Sequence, residues 1–134
     1  MLSKIVLTIT LVALAFAVVN CAGGGGSVEP ITVHKTEAGE ISFSQTVAPI
    51  LVDHCERCHG EDKKGELYIL TYDGVMKGGK SGGFVVPGDA EGSRLITSVK
   101  KTTEPFMPPR VFPALTEDRI EAISTWINEG AKDN

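Results

Sequence analysis

Cys55-Glu56-Arg57-Cys58-His59 is the stretch of this sequence that decides the fold. Two thiols three positions apart, followed at once by an imidazole, match the pattern of covalent haem attachment. In that chemistry each cysteine sulfur adds to a haem vinyl group, and the histidine turns its free ring nitrogen to the iron. Cys-x-x-Cys alone is also half of a zinc site or a thioredoxin-like redox pair. A structural zinc wants a second Cys or His pair, but the only other cysteine is Cys21, and His34 and His54 lack a paired spacing. A redox pair calls for a low-pKa thiol near a strand-helix unit and has no specific use for His59. Covalent haem is the leading reading, with zinc and a disulfide as its alternatives.

Working outward, the rest of the chain fits one small domain. Its 134 residues are 42% hydrophobic with a net charge of -4, which excludes a disordered tail and a nucleic-acid binder. Only 6% of the residues are aromatic. A flat apolar macrocycle would supply core that the side chains do not.

Residues 1–20 read as a signal peptide: Lys4 gives the positive start, and Ile5 to Val19 form an apolar run too short for a confident membrane span. Export follows. Val18-Val19-Asn20-Cys21 resembles the lipobox of bacterial lipoproteins, with Asn20 where Gly, Ala or Ser is preferred. Ala15-Phe16-Ala17 is a competing cleavage site that would release a soluble protein with a free Cys21. Cysteine arithmetic favours the lipid, because two thiols spent on haem leave Cys21 unpaired in an exported protein. Residues 21–40, opening with Gly23 to Gly26 and Ser27, read as a lipidated flexible tether. Some 20 such residues span on the order of 25 Å. The compact domain is expected over 41–134.

Within that domain Ser44 is a candidate cap for a helix running to about Asp53, with Val47, Ile50 and Leu51 on one face and Pro49 inside it. It leads straight into Cys55. At the other end Thr116 can cap a helix that carries Glu117 and Asp118 in its first turn, an Ile120, Ile123, Ile127 stripe with Trp126 beside it, and Gly130 as its stop. Short helices are expected over Thr71 to Lys77 and Glu91 to Lys101, joined by the glycine-rich Gly78 to Gly83 stretch. Phe84 to Val86 could form a brief strand. The expected fold is all-α: three to five helices wrapped around one covalent haem, with the terminal helices crossed over one haem edge.

The sixth iron ligand decides the chemistry. A methionine thioether opposite His59 raises the reduction potential and fills the site, which suits electron transfer; an open site suits gas binding or catalysis. Met1 is lost on cleavage and Met76 reads as core filler. Met107, in Glu104-Pro105-Phe106-Met107-Pro108-Pro109, is favoured because the prolines stiffen its loop. His54 lies too close to the attachment site to reach the far haem face and reads as a surface or supporting residue.

The order Pro49-Ile50-Leu51, Gly65-Glu66-Leu67, Gly78-Gly79-Lys80-Ser81-Gly82, Val86-Pro87-Gly88-Asp89, Ser93-Arg94-Leu95-Ile96, Met107-Pro108-Pro109, Leu115-Thr116 and Trp126 to Ala131 resembles the planctomycete-type cytochrome c domains. The resemblance covers roughly Phe43 to Ala131 and implies a class I-like fold. It places the haem cysteines at Cys55 and Cys58, the proximal ligand at His59 and the distal ligand at Met107.

The expected function is outer-sphere electron transfer by one covalent haem c, without enzymatic turnover or a small-molecule substrate. Redox proteins are the expected partners, among them a membrane electron-transfer complex of respiration or photosynthesis. The expected place is the periplasm or outer face of a bacterial membrane, held by lipid on Cys21. The alternatives are a subunit fixed in a larger redox complex, and a ligand sensor or enzyme with a displaceable sixth ligand. Lys63, Lys64, Lys77, Lys80, Arg94, Lys100 and Lys101 outnumber the acids of their segment and would steer an acidic partner if they ring the haem edge. Arg94, Tyr72 and Trp126 are propionate donors by residue type.

Overall fold

Pro49 shapes the start of the fold. Its ring clashes with the carbonyl four residues back and it donates no hydrogen bond, so a regular helix cannot run through it unchanged. In the computed structural model, which describes residues 29–134, the chain answers with a wide π-helical turn over Phe43–Val47, closed by the Ala48 N–H on the Phe43 carbonyl. The regular helix α1 (Ala48–His59) then has Pro49 in its first turn, where a missing N–H costs nothing. The cap is Ser42 rather than Ser44, its hydroxyl accepting from the Gln45 N–H. The helix also continues past Asp53, so the Cys-x-x-Cys-His motif forms its last turns.

Three more helices follow: α2 (Tyr72–Lys77), α3 (Arg94–Val99) and α4 (Glu117–Asn128). The described residues are thus helical, with four α-helices and no strand, only single bridges at Lys35–Ile41 and Gly79–Gly82. The brief strand allowed for Phe84 to Val86 does not form. Its backbone is taken up elsewhere: the Phe84 carbonyl accepts from Leu95 N–H, and the Val86 N–H donates to the Ser93 hydroxyl. Thr71 caps α2 through its hydroxyl, and α3 is shorter than the Glu91 to Lys101 window.

The hydrophobic stripes go inward as their period requires. Val47, Ile50 and Leu51 are buried, as are Ile120, Ile123, Trp126 and Ile127 of α4. Phe43, in the π-helical turn, joins the ends of the domain: its ring centroid lies 5.2 Å from that of Trp126, and 5.2 Å edge-on from that of Tyr72. The Tyr72 hydroxyl donates to the Ala131 carbonyl at 2.8 Å, and Trp126 Nε1 donates to the Lys132 carbonyl at 2.9 Å. These two donors are therefore committed to the chain beyond α4, and neither residue reaches the site, which corrects the propionate role that residue type allows them. Tyr72→Phe is expected to cost about 1 kcal/mol, the net worth of one such bond, read as a lower denaturant midpoint with an unchanged slope.

The signal peptide, Cys21 and the glycine run lie outside the described residues. The remainder of the expected tether does not behave as free chain. The Ile31 N–H donates to Asp118, the His34 N–H to the Thr46 hydroxyl at 2.8 Å, and the Ile41 N–H to the Glu129 carboxylate at 2.7 Å. Glu40 and Lys132 form an ion pair. Composition marked this segment as flexible because its partners, apart from Thr46, sit on α4 and beyond, far along the sequence.

Candidate functional site

Residues at i, i+3 and i+4 share one helix face, and the end of α1 uses that geometry to point Cys55, Cys58 and His59 into one cavity of about 970 Å³. The facing walls are the Gly65 to Ile69 segment, the Gly79 to Phe84 loop, α3, and the loop from Pro105 to Leu115 that carries Met107. Leu67, Ile69, Phe84, Leu95, Val99 and Leu115 make much of the lining apolar. Leu67, Leu95 and Leu115 fall in the motifs that carry the family resemblance, but residue type and spacing do not mark a wall assembled from four separate segments.

His59 is oriented by its backbone surroundings. A turn through Lys63 and Gly65, both at positive φ, presents the Lys64 carbonyl 2.8 Å from His59 Nδ1. A carbonyl only accepts, so Nδ1 carries the proton and the lone pair is left on Nε2. Such a bond is what fixes the ring of a metal-ligating histidine. The Ile69 N–H on the His59 carbonyl, 3.0 Å, ties the wall to the same residue.

Burial pushes the Cys55 thiol up to about 12, and the neighbouring Cys58 adds to the shift. Cys55 is therefore held as a neutral thiol. Among the described residues no group of three or more His, Cys, Asp or Glu side chains could hold a metal ion, so the zinc alternative to haem loses support.

Met107 is anchored by its N–H on the Ser98 carbonyl at 3.0 Å and lines the cavity; the following Pro108 is buried. Met76 packs half-buried against the core and does not line the cavity. His54 also lines it, with Nε2 buried and unpartnered. Burial first, then the Arg119 charge, lowers its pKa against the opposing pull of Asp53, so the ring is held neutral. His54 belongs to the cavity wall rather than to the open surface.

The basic segment divides. Lys64, Lys80 and Arg94 line the cavity, Lys100 pairs with Glu91 at 2.7 Å, and Lys63 lies over the Tyr68 ring. Of the three candidate propionate donors only Arg94 is at the site. Lys80 N–H also bonds the Gly65 carbonyl at 2.7 Å, closing two wall segments together. A Cβ on Gly79 would lie 2.5 Å from that carbonyl oxygen and 3.1 Å from Leu67 Cβ. Gly79→Ala is therefore expected to cost roughly 1–3 kcal/mol, as overpacking does, and to lower both the thermal midpoint and the yield of haem-loaded protein.

A mostly apolar cavity holding two thiols, an imidazole with Nε2 free and a thioether fits a covalently attached iron macrocycle. A helical domain with that donor set defines the class of c-type haem proteins. Residues 55–110 match the family model described as planctomycete cytochrome C, a family that implies covalently bound haem. No curated protein and no solved structure matches the chain.

Proposed function

We propose that this chain is a one-electron carrier: a monohaem c-type cytochrome in which Cys55 and Cys58 form the thioether links and His59 and Met107 are the axial ligands. The observation that carries this reading is the convergence of two thiols, a free Nε2 and a thioether on one apolar cavity. The bound haem supplies a ferric–ferrous couple. The Lys64 carbonyl orients the imidazole, and the Ser98 carbonyl fixes the backbone of the weaker methionine ligand. Apolar walls limit water around the iron. Holding both ligands in the same place in either oxidation state keeps reorganisation small, which suits electron transfer rather than substrate turnover.

The protein is exported and held at the outer face of a bacterial membrane by lipid on Cys21, where it exchanges electrons with redox proteins. The supporting observations are the apolar leader, the cysteine left over after haem attachment and the glycine run that follows it. A redox titration followed by visible absorption tests the core of the reading. A single reversible n = 1 couple with no rapid binding of carbon monoxide to the ferrous form is the expected result. Rapid binding without loss of a methionine ligand would replace the carrier with a ligand sensor.

A further inference from the structure

We propose that Arg57 and Phe112 form a latch that holds the Met107 loop against the haem-attachment helix, making Arg57 a positioning residue for the sixth ligand. The proposal rests on the His59/Met107 reading and asks what keeps a weak thioether ligand in place.

Arg57 sits between the two cysteines of the motif, yet its side chain is not committed to α1. Asp53 lies one helical turn before it, at the spacing where helix ion pairs form. Among the described residues the salt bridges are Lys100–Glu91 and Lys132–Glu40, so Arg57 forms no ion pair with a carboxylate. Its guanidinium carbon instead lies 5.1 Å from the centroid of the Phe112 ring, within the range of a cation–π contact.

The loop needs such a contact. The Phe106 N–H bonds Glu104 and the Phe112 N–H bonds the Pro109 carbonyl at 2.9 Å, but both bonds are internal to the loop. Its ties to the rest of the domain before Leu115 include the Met107 N–H on Ser98, the packing of Met107 against the core, the burial of Pro108 and the Phe112 ring under Arg57. Val111, next to the ring, is 84% exposed, so the distal half of the loop stands over solvent with Phe112 turned inward. The latch therefore joins two residues of the cavity lining, one on the helix that carries the haem motif and one on the loop that carries Met107.

Loosening one side of a strap raises the fraction of time the ligand is displaced. An external ligand that competes for the iron then binds more tightly in proportion to that fraction. The probe is imidazole added to the ferric holoprotein, followed by loss of the sulfur-to-iron charge-transfer band, alongside amide exchange of residues 106–112. Arg57→Gln and Phe112→Leu are each expected to raise the apparent imidazole affinity about two- to fivefold, the size expected of an exposed cation–ring contact. Exchange in the loop should accelerate by a similar factor, while α4 is unchanged. The double variant should match either single variant, and Arg57→Lys should recover part of the effect. Phe112→Leu carries no charge change, so it separates the latch from a simple electrostatic effect on the iron. Wild-type protein without the charge-transfer band would overturn the methionine reading and the latch together. A wild-type band with unchanged affinity and exchange in Phe112→Leu would overturn the latch alone.

Discussion

Met107→Ala is expected to abolish the weak long-wavelength sulfur-to-ferric-iron band, to lower the reduction potential and to open the ferrous protein to carbon monoxide, whereas Met76→Leu is expected to leave all three properties unchanged. The expectation follows from placement. Met107 lines the cavity with its backbone fixed to α3, and Met76 packs against the core away from the lining. A thioether favours the ferrous state, so its loss moves the potential down by about 0.1 V or more, a modest part of the roughly 0.8 V that axial ligands can span. Alanine cannot reach the iron, and the sixth position then takes water or an added ligand. Spectra of the two variants in both oxidation states check this. A band that survives in Met107→Ala and disappears in Met76→Leu would transfer the assignment to Met76.

Replacing both cysteines has the second large effect. With Cys55→Ala and Cys58→Ala combined, covalently attached haem is expected to fall from one per molecule to none, and any haem still bound should be extracted into acidified organic solvent. Each single variant keeps one thioether and a shifted reduced spectrum. Stability changes in kind as well as amount. A covalent cofactor cannot dissociate on dilution, while a reversibly bound one stabilises only by mass action, about 4 kcal/mol at a thousandfold excess over Kd. The thermal midpoint of the double variant should therefore climb with added haem, and that of the wild type should not. Haem that stays with the double variant and resists extraction into acidified organic solvent would argue that it is not held by these sulfurs.

Local signals carried much of this architecture. The Val47, Ile50, Leu51 and Ile120, Ile123, Ile127 stripes are legible because burial follows the helical period, and both sets are buried. Gly130, at a positive φ, ends α4 as its lack of a Cβ allows. Pro49 announced a disturbance but not its form, since a π-helical turn depends on where the chain can widen against α4. What was not legible is what distant segments do to one another. The order in residues 31–41 comes from Asp118 and Glu129, the donors of Tyr72 and Trp126 are consumed by carbonyls after α4, and Arg57 meets a ring in another loop. In the site, the motif and Met107 could be read from residue type and spacing. The Lys64 carbonyl that sets the His59 tautomer could not, because it is a backbone group placed by the positive-φ turn around it.

The most direct test is the intact mass of the purified, denatured protein together with a count of reactive thiols. The account predicts a chain heavier by one haem that acidified solvent does not remove, with Cys55 and Cys58 unreactive. A chain at its bare polypeptide mass with both thiols free would contradict it.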